Sequence, residues 1–308
     1  MLTVDGSHLE GGGQILRLAV ALSAISGIPI TLVRIRENRE RPGLAPQHIA
    51  AVRAVAGTCG AECTGLAPKS REITFTPGAP RCADLHIDTG TAGSITVVGG
   101  TEVAQSPTID YVDRVLVPVL RRAGASIKIT VLERGYYPRG GGRVRVSVEP
   151  GLPGLISVPE ESGCSLISCS AGLPGHVTER QAGAARDLIR SELDLPCTAT
   201  LDPREGGPST GSSVTIWSGA KGAVALGRRG LPAEEVGRAA ARAFIDEYRG
   251  PGTVDVHLAD QLLVYLALSG GEYTTHTLSM HARTACSLLA EFGHPVECRE
   301  NDTVRFSA

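Results

Sequence analysis

The sequence predicts an α/β protein: a large domain of three strand–helix–strand–helix–strand–strand repeats, with a small α/β domain inserted into the third. Three observations predict this. Stretches with helical and strand periodicity alternate in a recurring order. Glycine-rich turns separate them, from 38 glycines among 308 residues. The third pass through the order is interrupted by a block with strands and helices of its own. The expected boundaries are 1–158 and 253–308 for the repeat domain and 159–252 for the insert.

The first repeat opens with a strand over Met1–Val4. Gly12–Ser26 follows with apolar residues at helical spacing (Ile15, Leu16, Leu18, Ala19, Leu22 and Ile25), and Gly27 ends it. Pro29–Ile35 alternates as a strand, Leu44–Gly57 reads as a second helix, and Ala61–Thr64 and Glu72–Phe75 as closing strands. The second repeat opens at Asp84–Ile87, has a helix over Ile109–Ala123, and closes with Ala125–Leu132 and Arg143–Val148. Its first helix is missing: Thr89–Val103, TGTAGSITVVGGTEV, passes from a glycine-rich turn to a strand. The third repeat opens near Leu155–Val158 and resumes with helices over Val256–Leu268 and His281–Phe292. Strands over Pro295–Arg299 and Thr303–Phe306 complete it. In the insert, Ser165–Ser170, Val214–Trp217 and Gly222–Ala225 read as strands, and Val177–Leu193 and Pro232–Tyr248 as helices. RGPGT, Arg249–Thr253, is the return linker.

Composition narrows the function class. With 42% hydrophobic and 20% charged residues and a net charge of −2, no global basic field draws the chain to nucleic acid or membrane, so any such contact needs a local basic patch. No run has the apolar length of a membrane span and no signal-peptide pattern follows Met1, which makes the expected compartment the cytoplasm. The eight cysteines contain no C-x-x-C pair; Cys59 and Cys63 have metal-like spacing but no second pair matches them. All eight read as small buried hydrophobes or free thiols.

Four stretches carry candidate chemistry. EGGGQILR, Glu10–Arg17, sets three glycines before a helix. It reads either as a tight turn or as a seat for an anion on free helix N–H groups, with Glu10 able to hold a hard cation such as Mg²⁺. RIRENRERPGLAPQH, Arg34–His48, gathers Arg34, Arg36, Arg39 and Arg41 ahead of Gln47 and His48. Strand alternation puts Arg34 and Arg36 on one face; the cluster is a phosphate clamp or a solvated turn balanced by Glu37 and Glu40. GYYPRGGG, Gly135–Gly142, is a hairpin loop or a nucleotide edge. HLADQLL and THTLSMHARTA place Asp260 and Gln261 in an apolar helix and bring His257, His276, His281 and His294 into one region. His281, ahead of an apolar helical run, reads either as a structural histidine or as one that keeps a nitrogen lone pair for nucleophilic attack.

Taken in order, EGGGQILR, RPGLAPQH, TAGS, GGT, GYYPRGGG, GHVTER, HLADQLL and the histidine of SMHARTA resemble the RNA 3′-terminal phosphate cyclase family. The resemblance runs from Glu10 to His281 and implies the same repeat-plus-insert fold. It implies an enzyme that uses ATP and Mg²⁺ or Mn²⁺ to convert an RNA 3′-phosphate end into a 2′,3′-cyclic phosphate through covalent histidine–AMP. By position, His281 matches the nucleophile and Glu10 the metal carboxylate. Arg17, Arg36, Arg39, Gln47 and His48 match residues serving ATP or RNA phosphates, and Asp260 and Gln261 match residues of the nucleotide pocket. One departure stands out: a helix that family members carry between the TAGS-like and GGT-like motifs is absent near 95–98, between Ser94 and Gly99. It leaves rival readings: a non-catalytic, cyclase-like ribosome-assembly factor, an inactive relative that binds phosphate or RNA ends, or, by fold analogy, an enolpyruvyl transferase, which needs more repeats than this chain holds.

Overall fold

The computed structural model describes residues 1–9, 11–80, 85, 98–99, 101–102, 106–149, 151, 153–159 and 163–308. Among them the chain is a mixed α/β protein with four sheets. The expected opening strand Asp84–Ile87 and the helix-less stretch after Ser94 lie almost wholly outside the described residues.

The first sheet comprises β1 (Leu2–Asp5), β2 (Ile30–Val33), β3 (Glu62–Thr64) and β4 (Ile73–Thr76), in the order β1-β2-β4-β3. β1 and β2 are parallel, joined by α1 (Gly13–Ser26); β4 is antiparallel to both neighbours, and α2 (Pro46–Cys59) leads into β3. α1 ends where the sequence predicts, with Gly27 left-handed at φ 70°. β2 is shorter than expected. Arg34 and Arg36 take left-handed φ values of 51° and 54°, so they do not share a strand face, and the chain turns away after Val33. Ile35 between them is buried, its N–H donating to the Arg71 carbonyl at 3.0 Å and its carbonyl accepting from Gly43 at 2.8 Å. Burial of one apolar residue thus overrides the alternation of its neighbours.

The next sheet has the order β5-β7-β6, from β5 (Val98–Gly99), β6 (Ile127–Glu133) and β7 (Gly142–Val148). Its helical segment is not uniform: α3 (Ile109–Tyr111), a π-helical stretch (Val112–Leu116) and α4 (Val117–Arg122) follow one another. Pro118 has no N–H for an i−4 bond, and the wider turn just before it, with Val117 N–H bonded to the Val112 carbonyl, accommodates the ring.

The C-terminal sheet has the order β12-β14-β13, from β12 (Glu272–Thr275), β13 (Glu297–Glu300) and β14 (Val304–Ser307). α7 (Val256–Ser269) precedes it and α8 (Met280–Glu291) lies within it. Ile156 bridges Gly271 in parallel, just ahead of β12. β5-β7-β6 and β12-β14-β13 thus share the order first, last, middle, and β2-β4-β3 of the four-stranded first sheet repeats it beside β1.

Residues between these regions form β8 (Cys164–Ala171), α5 (His176–Leu193), β9 (Cys197–Arg204), β10 (Gly211–Ser218), β11 (Lys221–Leu226) and α6 (Ala233–Arg249), with sheet order β11-β10-β8-β9. The sequence reading missed β9. Its Asp202 and Pro203 argue against a strand, and the sheet tolerates them because β9 lies at its edge, where a missing N–H costs no ladder bond. α5 crosses α6 closely at Gly237, where a Cβ would lie 2.1 Å from the Gln181 carbonyl oxygen.

Two buried apolar clusters result. The larger gathers α1, α2, α7, α8 and the 109–122 helix, through residues such as Leu22, Leu120, Leu262 and Leu289. Each such side chain contributes about 1.5–3 kcal/mol on burial. The smaller, with Leu166, Ile189, Ile216 and Phe244, lies between α5, α6 and the β8–β11 sheet. Tyr111 links the regions: its hydroxyl donates to the Asp255 carboxylate at 2.6 and 2.7 Å, while Asp255 caps α7 through Leu258 N–H and accepts from Gly222 N–H. Burial holds Asp255 above the usual carboxylate range, at about 6.

Candidate active site

The site is built where the first turns of three helices meet. Gly13 and Gln14 open α1, His48 lies in the first turn of α2, and His281 in the first turn of α8. A Cβ on Gly13 would lie 2.3 Å from His48 Nε2 and 3.3 Å from Arg17 Nη1, so glycine is required for α1 and α2 to approach this closely. Gln14 Nε2 donates to the His281 carbonyl at 3.1 Å, joining α1 to α8. Helix N-termini carry partial positive charge and free N–H groups, and those of α2 and α8, each set against the start of α1, favour an anion nearby.

His48 is buried, and its Nδ1 accepts from Ala45 N–H at 3.1 Å. The neutral ring therefore carries its proton on Nε2, the nitrogen beside Gly13. Burial, with Arg36 and Arg17 nearby, lowers its pKa to about 4, so it is a neutral hydrogen-bond donor at pH 7. Arg36 is half-buried, donates to the Gly43 carbonyl at 3.0 Å, and is held below the usual guanidinium range by burial and by the charge of Arg39. Arg39 is exposed. Arg34 instead pairs with Asp5, away from this cluster.

On the other side, α7 presents Asp260 to α8. The Ser279 hydroxyl, which also caps α8 through Ala282 N–H, donates to Asp260 Oδ1 at 2.5 Å. Asp260 Oδ2 lies 3.6 Å from His281 Nδ1, and the His281 side chain is half exposed. A carboxylate on that side favours the tautomer with hydrogen on Nδ1 and leaves the Nε2 lone pair outward.

The structure thus brings together Arg17, Arg36 and His48, sets Arg39 against Arg36, and joins Asp260 to His281. Gln47 is half-buried in the first turn of α2. The Gln261 amide turns to its own helix, donating to the His257 carbonyl at 3.1 Å. Glu10, the expected metal carboxylate, lies outside the described residues. Among the described residues no three His, Cys, Asp or Glu side chains gather to hold a metal. Of the other C-terminal histidines, His276 pairs with Glu247 at 2.9 Å and shares a hydrogen bond with Thr277.

Sequence reasoning missed Gln14 and Ser279. Both left signals: a polar residue opening an apolar helix, and a serine immediately before a helix start. The loop Gly135–Gly142 proves to be a packing element. Tyr136 is buried, its N–H donates to Ser209 Oγ at 2.7 Å, and that hydroxyl donates to the Gly140 carbonyl at 2.9 Å. Tyr137 beside it is exposed.

Comparison with known proteins gives the chain relatives. The family model described as RNA 3′-terminal phosphate cyclase matches residues 8–98 and 95–296. The chain is 41% identical to the RNA 3′-terminal phosphate cyclase of Methanosarcina mazei over 338 aligned positions, covering 95% of both chains. It is 40% identical to that of Archaeoglobus fulgidus over 320 positions, again 95% of both, and 42% identical to that of Methanosarcina barkeri, covering 95% of this chain and 94% of the relative. The first two alignments are longer than the 308-residue chain, so these relatives carry positions with no counterpart here, and the family model matches in two segments that overlap at 95–98. On this footing the chain belongs to the RNA 3′-terminal phosphate cyclase family.

Proposed function

We propose that this chain catalyses ATP-dependent conversion of an RNA 3′-phosphate to a 2′,3′-cyclic phosphate, with His281 as nucleophile. His281 Nε2 attacks the α-phosphorus of ATP; a P–N bond forms, the α–β P–O bond breaks, and pyrophosphate leaves. An oxygen of the RNA 3′-phosphate then displaces histidine from that phosphorus. The adjacent 2′-hydroxyl attacks the activated terminal phosphorus, its proton goes to solvent, and AMP departs. Holding the hydroxyl beside its electrophile supplies the high effective molarity that ring closure needs.

The observation that carries this reading is the hold on His281. Its backbone is tied to α1 by Gln14, and its ring is set by Asp260, at the meeting of three helix N-termini. A triphosphate fits the donors there: the α1 N–H groups, the Nε2–H of His48, Arg36, Arg39 and Arg17, with Gln47 on the same helix turn as His48 and Asp260 and Gln261 on α7 for the nucleoside. Mg²⁺ or Mn²⁺, held by Glu10, would neutralise phosphate charge. The reading also takes the three sheets of like strand order as three copies of one unit, over 1–158 and 253–308, with 159–252 inserted. It makes the enzyme a ligase acting on RNA ends in the cytoplasm. Among the described residues no helix is long and apolar enough to cross a membrane.

The test mixes protein, ATP labelled at the α-phosphate and Mg²⁺, followed by denaturation. Acid-labile label on the protein, absent from His281→Ala, is expected. A folded protein that takes no label would favour the inactive, end-binding relative, the reading that the expected loss of a family helix near 95–98 keeps open. Glu10→Ala should weaken the metal dependence of labelling; an unchanged dependence removes Glu10 from the metal site.

A further inference from the structure

Away from this site, β8 and β9 run parallel, and their first registered pair is Cys164 opposite Cys197. Both thiols are free, and their sulfurs lie 2.7 Å apart, closer than two non-bonded sulfurs ordinarily sit. Among the described residues they are the pair of thiols in direct contact. Registered cross-strand neighbours have the short Cα separation that a disulfide bridges without backbone movement. The two are not equivalent. Cys164 is buried, whereas Cys197 is half-buried and lines a surface cleft with Arg186 and Arg190 of α5, Leu195 and Pro196.

We propose that Cys164 and Cys197 are a thiol–disulfide exchange site that closes, on reaction with a low-molecular-weight disulfide, into a bond fastening edge strand β9 to β8. Cys197 is the entry sulfur. The hydrogen bond from Cys164 and the charge of Arg186 draw its thiol toward thiolate, while Cys164 is held protonated by its bond to Cys197 and by burial. Cys197 thiolate attacks one sulfur of the reagent; the reagent's S–S bond breaks and one thiolate leaves. Cys164 then loses its proton to water and attacks Cys197 Sγ, expelling the second thiolate. Two protein thiols are oxidised to one disulfide and the reagent disulfide is reduced to two thiols. The closed loop contains all of α5, so the bond constrains the unfolded insert. In a reducing compartment such a bond is transient, which suits an exchange site rather than a permanent staple.

The experiment uses the full chain with oxidised glutathione, then dithiothreitol. Non-reducing peptide mapping should find the Cys164 and Cys197 peptides linked, and the melting temperature should rise by roughly 5 °C and fall back on reduction. The Cys164→Ser chain should instead retain one glutathione on Cys197. Both thiols still open to alkylation after oxidation, or glutathione persisting on Cys197 of the unaltered chain, would overturn the proposal.

Discussion

Two charged regions of this molecule use the same side chains in opposite ways. At the contact of the middle strands with the β8–β11 sheet, Arg134 is sealed from solvent among carboxylates: Glu102 at 2.8 Å, Asp110 at 2.6 Å and Asp202 at 2.8 Å. Burial lowers its pKa, and the neighbouring Asp110 above all outweighs that and raises it. At the candidate active site, Arg36 donates to a backbone carbonyl, and the charge it meets is the like charge of Arg39. The first arrangement pairs its arginine within the protein, with Glu102 Oε2 left without a hydrogen-bond partner. The second sets like charges and helix N-termini near one another, and under the proposed function the triphosphate is the anion they receive. The lesson concerns what each arginine faces rather than how many there are.

The largest effect should come from His281. His281→Ala is expected to abolish covalent label and to lower cyclisation by roughly 10⁴-fold or more, because a nucleophile has no partial substitute. The unfolding midpoint should hold, since the ring is half exposed. Next is Arg134→Met, which strands Asp110 in the interior without its cation; a stability loss of about 3–5 kcal/mol is expected in urea denaturation. Arg36→Met should do the reverse. It removes a partly desolvated cation beside Arg39, so stability should change by less than about 1 kcal/mol, while ATP affinity falls roughly 10–100-fold. Were Arg36→Met to unfold the chain as readily as Arg134→Met, the contrast between the two regions would collapse.

The sequence made half of this contrast legible. Periodicity and Gly27 gave α1 to within a residue, and the motifs from Glu10 to His281 pointed to the candidate site because its residues cluster at helix starts, which leave local signals. The Arg134 cluster left none. Its partners are 24, 32 and 68 residues away, and nothing about a lone arginine near a strand end announces burial. Strand β9 was hidden by Asp202 and Pro203, and Asp202 is itself one of those partners, so the residue that disguised the strand is the one that fastens it to the middle sheet. The loop after β2 was misjudged for a related reason. Two arginines held left-handed around buried Ile35 obey a tertiary demand that alternation does not encode.

The smallest effect is the sharpest discriminator, because the two regions respond to pH with opposite sign. His48 titrates at about 4 in the folded chain against 6.5 unfolded, so it takes a proton more readily when unfolded. Its contribution is fully present above pH 6.5, is lost as pH falls toward 4, and amounts to on the order of 1–3 kcal/mol. Glu102 is pushed up to about 8 from 4.5, by burial first and the neighbouring Asp110 second. It is buried neutral, so its contribution is present below pH 4.5 and is lost as pH rises toward 8, where the unfolded chain has already released the proton. Between pH 4.5 and 6.5 the two slopes oppose each other, and the unaltered chain should look flatter there than either group alone would make it. Differences in unfolding free energy between the unaltered chain and each variant separate them. The difference for His48→Gln should grow with pH up to 6.5, and that for Glu102→Gln should shrink with pH up to 8. Two difference curves of the same sign would mean that one of these groups is held in the other protonation state, and the division between an ionic cluster paired within the protein and the proposed anion site would have to be redrawn.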